Sequence, residues 1–258
     1  MTSESLPSAS VSIIPQDSSE ELRDLQVRFK SESGRLLLLL PSETSVNPPP
    51  LVWSEVWEQL KHRLNAGERF WRPKTAVHLN ARDRLLDVRQ LQAIAEALLD
   101  AQLELKRVYT SRRQTAVAAA TAGYSVEQRS PVSQLNQSPN ESGQALSEPL
   151  YLQTTIRSGV EIRHPGTVIV LGDVNPGGSV VAEGDILIWG SLRGIAHAGV
   201  NGNTQCRIMA LKMQPTQIRI ATHVARGPET PPAQYLPEVA HVTAAGIRIA
   251  LATNFPKI

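Results

Sequence analysis

Six histidines and one cysteine are the residues in this 258-residue chain whose types invite a search for chemistry. His197 is the sharpest case. It stands between Gly194 and Gly199, and a neutral imidazole there could take a proton from a hydroxyl or an amine, as acyl transfer requires. His164, His223 and His241 are scattered, with no carboxylate or second histidine at a metal-ligand spacing. Cys206 is alone, so neither an internal disulfide nor a cysteine metal cage can form. No phosphate-binding glycine loop followed by Lys and Ser or Thr occurs, so no nucleotide cofactor is expected. One cation, Arg193, sits beside two glycines, Gly190 and Gly194, where a partner backbone could come close. Lys106-Arg107 and Arg112-Arg113 lack interleaved aromatics and argue against nucleic acid.

The element that must position these groups is a repeat. Glycines recur at 166, 172, 178, 184 and 190, each followed by a small polar and then an aliphatic residue, from Gly166-Thr167-Val168 to Gly190-Ser191-Leu192. A six-residue period predicts a triangular, right-handed parallel β-helix, each side a short strand and a corner. Glycine would supply positive φ at the corners. Val168, Val174, Val180, Ile186 and Leu192 should point inward, one coil taking ~18 residues, with polar residues between them facing water. Ile208 to Leu211, Ile218 to Ile220, Val239 to Val242 and Ile247 to Ala250 read as later rungs. Such a coil needs its ends covered, by a cap or by a second copy, which points to a homodimer through this region.

The rest of the chain divides around that coil. Residues 1–20 are Ser- and Glu-rich and read as a disordered tail. Residues 21–128 read as an α/β domain. Its expected strands lie near Val27, over Leu36–Leu40 (buried on both faces), over Thr75–Leu79 and over 103–108. Its expected helices run from about Ser54 to Leu64, over 91–99 after Asp87, and over 114–122 with Thr110 as cap. Residues 129–150, rich in Ser, Gln, Asn and Pro, read as a flexible linker. Residues 151–258 form the all-β coil domain. A formal charge of +2 argues for no bulk anion or membrane binding. The apolar run Leu36–Leu40 is far short of the ~20 residues that span a bilayer. With no signal-peptide pattern at the start, a cytoplasmic location is expected.

Three stretches resemble a known family: Arg157-Ser158-Gly159, Val180-Val181-Ala182-Glu183-Gly184-Asp185-Ile186, and Gly190-Ser191-Leu192-Arg193-Gly194-Ile195-Ala196-His197-Ala198-Gly199. In order and spacing they are similar to the C-terminal domain of the MinC family, septum-site-determining inhibitors of bacterial division. Phe29-Lys30, Phe70-Trp71 and the Arg112–Gly123 segment resemble its N-terminal domain more faintly. The resemblance implies a protein without catalytic activity that dimerises through its coil domain. It further implies binding there to the membrane-associated ATPase MinD, and antagonism of polymers of the tubulin-like FtsZ, chiefly through the N-terminal domain. It assigns the MinD contact to Arg157, Ser158 and Gly159, with Arg193 as a further contact, and FtsZ interaction to Lys30 and Phe70. Val160 replaces the family's usual Gln, and Ile195 a position often basic. Phe70-Trp71 fits either an exposed aromatic anchor or the core. The alternative is a hexapeptide-repeat acyltransferase with His197 as general base; no loop insertion long enough to cover a cofactor arm interrupts the hexads.

Overall fold

The computed structural model describes residues 26–44, 49–67, 71–129, 147–227 and 234–255. The protein is mostly β, with few helices. The first half runs β1 (Arg28–Glu32), β2 (Arg35–Leu39), α1 (Trp53–Gly67), β3 (Thr75–Arg82), α2 (Val88–Asp100), β4 (Leu103–Thr110), α3 (Arg113–Thr121) and β5 (Ser125–Gln128). β1 and β2 form an antiparallel hairpin, turned by Ser33 and Gly34 at φ 48° and 81°. β2, β3, β4 and β5 then pair in parallel in chain order, each crossover carrying one helix.

Local chemistry explains these elements. Asp87 accepts from the Gln90 backbone at 2.7 Å while Gln90 Oε1 accepts from the Asp87 backbone at 3.0 Å, a reciprocal cap that starts α2. That helix buries Leu91, Ile94 and Leu98, an i, i+3, i+7 stripe. α1 begins one residue earlier than expected and buries Val56, Leu60 and Leu64. Thr110 does not cap α3. It lies in β4, and Arg112 holds the cap position without a side-chain bond. Buried Ala116, Ala119 and Ala120 instead let α3 lie close on the sheet. In the Leu36–Leu40 run, Leu36, Leu38 and Leu40 are buried but Leu37 and Leu39 only half so, because the helices cover a single face.

The second half contains β6 (Ser147–Leu152), β7 (Glu161–His164), β8 (Gly166–Val170), β9 (Ser179–Ala182), β10 (Ile186–Leu192), β11 (Ile195–Ala198), β12 (Ile208–Met213), β13 (Gln217–Ile220), β14 (His223–Ala225), β15 (Glu238–Thr243) and β16 (Gly246–Leu251). β6 begins before the boundary drawn from sequence at 151; residues 130–146 of the linker segment lie outside the described residues. Three parallel columns result. Leu150, Val168, Ile186 and Ile208 stack in one. Ile162, Val180, Ala196 and Ile218 stack in the second. Ile156, Val174, Leu192 and Met213 stack in the third. The chain visits the columns in turn, so Leu150, Ile156, Ile162, Val168, Val174, Val180, Ile186 and Leu192, one every six residues, are each at most 1% exposed. The five inward positions expected from the glycine pattern are among them. Each such aliphatic contributes about 1.5–3 kcal/mol of burial.

The glycines serve differently from expectation. Gly172 has a positive φ, 149°, but Gly166, Gly178 and Gly190 do not, and their role is close approach. A Cβ on Gly166 would overlap the Ser147 carbonyl oxygen, and one on Gly190 the Gly172 carbonyl oxygen; on Gly178 it would lie 2.9 Å from that of Ile156. Successive laps are in backbone contact at these corners.

The ends of the coil are closed. β15 and β16, expected as rungs, form an antiparallel hairpin, with β15 antiparallel to β12. β14 turns back antiparallel on β13. At the other end β5 pairs in parallel with β7, Val126 against Ile162 and Glu127 against Arg163, giving one ten-stranded sheet from β1 to β14. Val126 is fully buried beneath Ile162, so the first half supplies the rung below the coil. Arg107 on β4 reaches Glu161 across this seam at 3.0 Å and also pairs with Glu127 on β5 at 3.5 Å.

Ile186→Asp would place an unpaired charge in the dry stack, costing several kcal/mol; it should abolish the cooperative thermal transition of the second half, followed by circular dichroism. Gly190→Ala should lower stability by about 1–3 kcal/mol as the laps are forced apart.

Candidate partner-binding site

The third column supplies a corner at which the chain turns once per lap. Arg157 lies in the first lap, Asn175 in the second and Arg193 in the third, each eighteen positions after the last. The turns are tied together through backbone. Gly159 donates to the Gly177 carbonyl at 2.9 Å, Asn175 to that of Ile156 at 2.9 Å, and Arg193 to that of Val174 at 2.8 Å. Gly159 and Gly177 both adopt left-handed backbone, φ 81° and 80°. A Cβ on Gly177 would collide with Ser158, so Gly177 lets the two turns nest. Arg157 and Arg193 thus share one corner two layers apart, roughly 10 Å at strand spacing.

The two cations are held differently. Arg193 Nη2 donates to Asn175 Oδ1 at 2.7 Å and to Asp173 Oδ2 at 3.1 Å. Asp173 Oδ1 accepts from the Ser191 backbone at 2.7 Å. Arg193 is therefore oriented downward and partly neutralised. The Arg157 side chain is exposed and makes no hydrogen bond or ion pair among the described residues. Ser158 and Gly159 are exposed beside it. A flat, backbone-rich corner with one free guanidinium suits a carboxylate or carbonyl on a protein surface. Val160 is only half-buried and packs against the core.

His197 lies on β11, outside this corner. Its Nε2 donates to the Ala221 carbonyl at 3.0 Å, since that oxygen can only accept. Burial lowers its pKa below the usual 6.5. The ring joins β11 to the turn beyond β13 as a structural strut. His164 does the same at the seam: 1% exposed, its Nε2 donates to the Glu148 carbonyl at 3.0 Å, and Nδ1 lies 3.2 Å from Gln128 Oε1. Among the described residues no cluster of His, Cys, Asp or Glu could hold a metal ion, and no helix is long and apolar enough to cross a membrane.

Lys30 is exposed on β1, the outer strand of the ten-stranded sheet, far from the Arg157 corner. Phe70 lies outside the described residues. Its neighbour Trp71 packs on Phe29, ring centroids 4.7 Å apart, and against the core. What the sequence reading missed is the outer face of the six-stranded sheet formed by β6, β8, β10, β12, β15 and β16. Tyr151, Ile169, Leu187 and Met209 are register partners across it, and Trp189 is 66% exposed. The signal was present: Val168-Ile169-Val170 and Ile186-Leu187-Ile188 are apolar throughout, where polar residues were expected to face water.

Residues 150–253 match the septum formation inhibitor MinC, C-terminal domain. Over 232 residues the chain is 53% identical to a probable septum site-determining protein MinC of Gloeobacter violaceus, covering 90% of this chain and 81% of that one. It belongs to the MinC family. A Thermosynechococcus vestitus MinC relative is 48% identical, over 87% of this chain and 82% of its own. A Nostoc relative is 58% identical over 91% of this chain, which spans 64% of that protein's length. A chain of a solved MinC:MinD cell division protein complex from Aquifex aeolicus is 36% identical, covering 42% of this chain and 90% of that chain, with a TM-score of 0.40. MinC proteins are non-enzymatic regulators of cell division, which together with the engaged Nε2 of His197 removes the acyltransferase alternative.

The buried histidines carry a pH dependence. Burial holds His164 below its usual 6.5, so as pH falls the unfolded chain takes up a proton before the folded one does. Stability is then complete above about pH 6.5 and falls below it. The urea midpoint should drop between pH 7.5 and 5.5, and His164→Gln should flatten that drop.

Proposed function

We propose that this protein blocks misplaced septa by antagonising FtsZ polymer assembly, and that MinD recruits it from the cytoplasm to the inner membrane. In this reading the three columns wind as a triangular right-handed parallel β-helix. Its third corner, with Arg157, Ser158, Gly159 and Arg193, is the MinD contact. Residues 151–258 dimerise and bind MinD, residues 21–128 act on FtsZ with Lys30 and Phe70, and 129–150 link them. The homodimer forms through the apolar outer face of the six-stranded sheet, which would otherwise leave Trp189 and Tyr151 in water.

The observation that carries the reading is the meeting of Arg157 and Arg193 on one corner of nested glycine turns, at the residues through which the chain resembles the family. Family membership supports the division role. Dimerisation would present two such corners to a membrane coated with MinD, raising apparent affinity without new contacts.

Cosedimentation with MinD, ATP and lipid vesicles tests this. Arg157→Glu should reduce the bound fraction about tenfold or more with the thermal transition unchanged. Arg193→Glu should reduce it less, because Asp173 already offsets that charge. Binding unchanged in both variants would remove the corner from the mechanism.

A further inference from the structure

The apolar outer face does not stop at the edge of its sheet. β6 is the edge strand, and α3 of the first half packs beside it. Between them runs an open groove of about 660 Å³, with Leu85, Val88, Val117, Pro149 and Tyr151 among its walls. A second hollow, about 220 Å³, lies further along the same face and includes Ile169, Leu187, Trp189 and Met209. Tyr151 of the first and Ile169 of the second are register partners on adjacent strands. The two hollows are therefore one apolar strip, running from the first half of the chain onto the coil.

Two considerations say what covers it. The first is area. Six strands about 4.8 Å apart and about 20 Å long give a flat footprint of roughly 500 Å², a small face for a stable interface, which buries about 800 Å² of accessible surface on each partner. The groove wall, where Leu85 is 51% and Tyr151 47% exposed, extends the face in the direction needed. The second is charge. The groove is flanked by Asp87 and Arg113, and by Glu148, which pairs with Arg113 at 2.7 Å. A margin carrying both signs suits a two-fold contact, in which the same patch meets itself.

We propose that a second copy of this chain fills the groove, so that the self-association surface spans both halves of the protein rather than the coil alone. The proposal rests on the homodimer reading above and adds residues of the first half to it. Seating a partner against Leu85 and Val117 also holds the first half on the coil, so dimerisation and the β5–β7 seam stabilise one another.

Sedimentation velocity on the full chain tests it. Leu85 is solvent-exposed, so Leu85→Lys should fold normally, as its circular dichroism and thermal midpoint will report. It should raise the dimer dissociation constant about tenfold, while Leu85→Met stays within twofold of the parent. Trp189→Lys serves as the reference on the coil. If Trp189→Lys dissociates the dimer and Leu85→Lys leaves it unchanged within twofold, the groove is not part of the interface and the proposal is overturned, while the coil-face dimer stands. If neither variant changes the dissociation constant, the homodimer reading of this face falls, and the proposal with it.

Discussion

Backbone contact between one lap of the coil and the next is the constraint on which the rest depends. Parallel strands sit about 4.8 Å apart. Where a corner must come that close without a strand's pleat to separate it, only a hydrogen will fit. Gly166 against Ser147 and Gly190 against Gly172 meet this condition. Once the corners close, the aliphatic residues two positions on have one direction left to point. The dry stack from Leu150 to Leu192 follows, and so does the nesting of the Arg157 and Asn175 turns. The same requirement explains why Arg157 and Arg193, 36 positions apart in the chain, share one small surface.

Much of this was legible because the repeat imposes one rule on many residues. Glycine followed by an aliphatic residue identified five inward positions, and the register extends the series back through Ile162, Ile156 and Leu150. Those three hexads lack the glycine signature, with Val160, Thr154 and Glu148 in its place, so only strand pairing reveals them. The helices of the first half followed from apolar spacing. β5 did not, since Ser125–Gln128 is four residues long and earns its place by pairing with both β4 and β7. The β15–β16 hairpin has rung-like composition, and direction along the sheet cannot be read from composition. The Arg157 corner came from resemblance; its geometry, with Arg193 tied to Asp173 and Arg157 free, is a tertiary fact.

The apolar outer face teaches a related lesson. A strand with water on one side alternates. β8 and β10 do not alternate, and the reading that assigned their intervening positions to solvent followed the average behaviour of such coils rather than these particular residues. A continuous run such as Ile186-Leu187-Ile188 states that both sides of the strand seek cover, and among the described residues the outer side is left incompletely covered, with Trp189 66% exposed.

The seam between β5 and β7 has a mechanical meaning. Ten strands in one hydrogen-bonded sheet place nine spacings between β1 and β14, about 40 Å end to end. Lys30 rides at one extremity of that span. Were the Arg157 corner held on a surface, the shared sheet would set how far from that surface the strand carrying Lys30 stands.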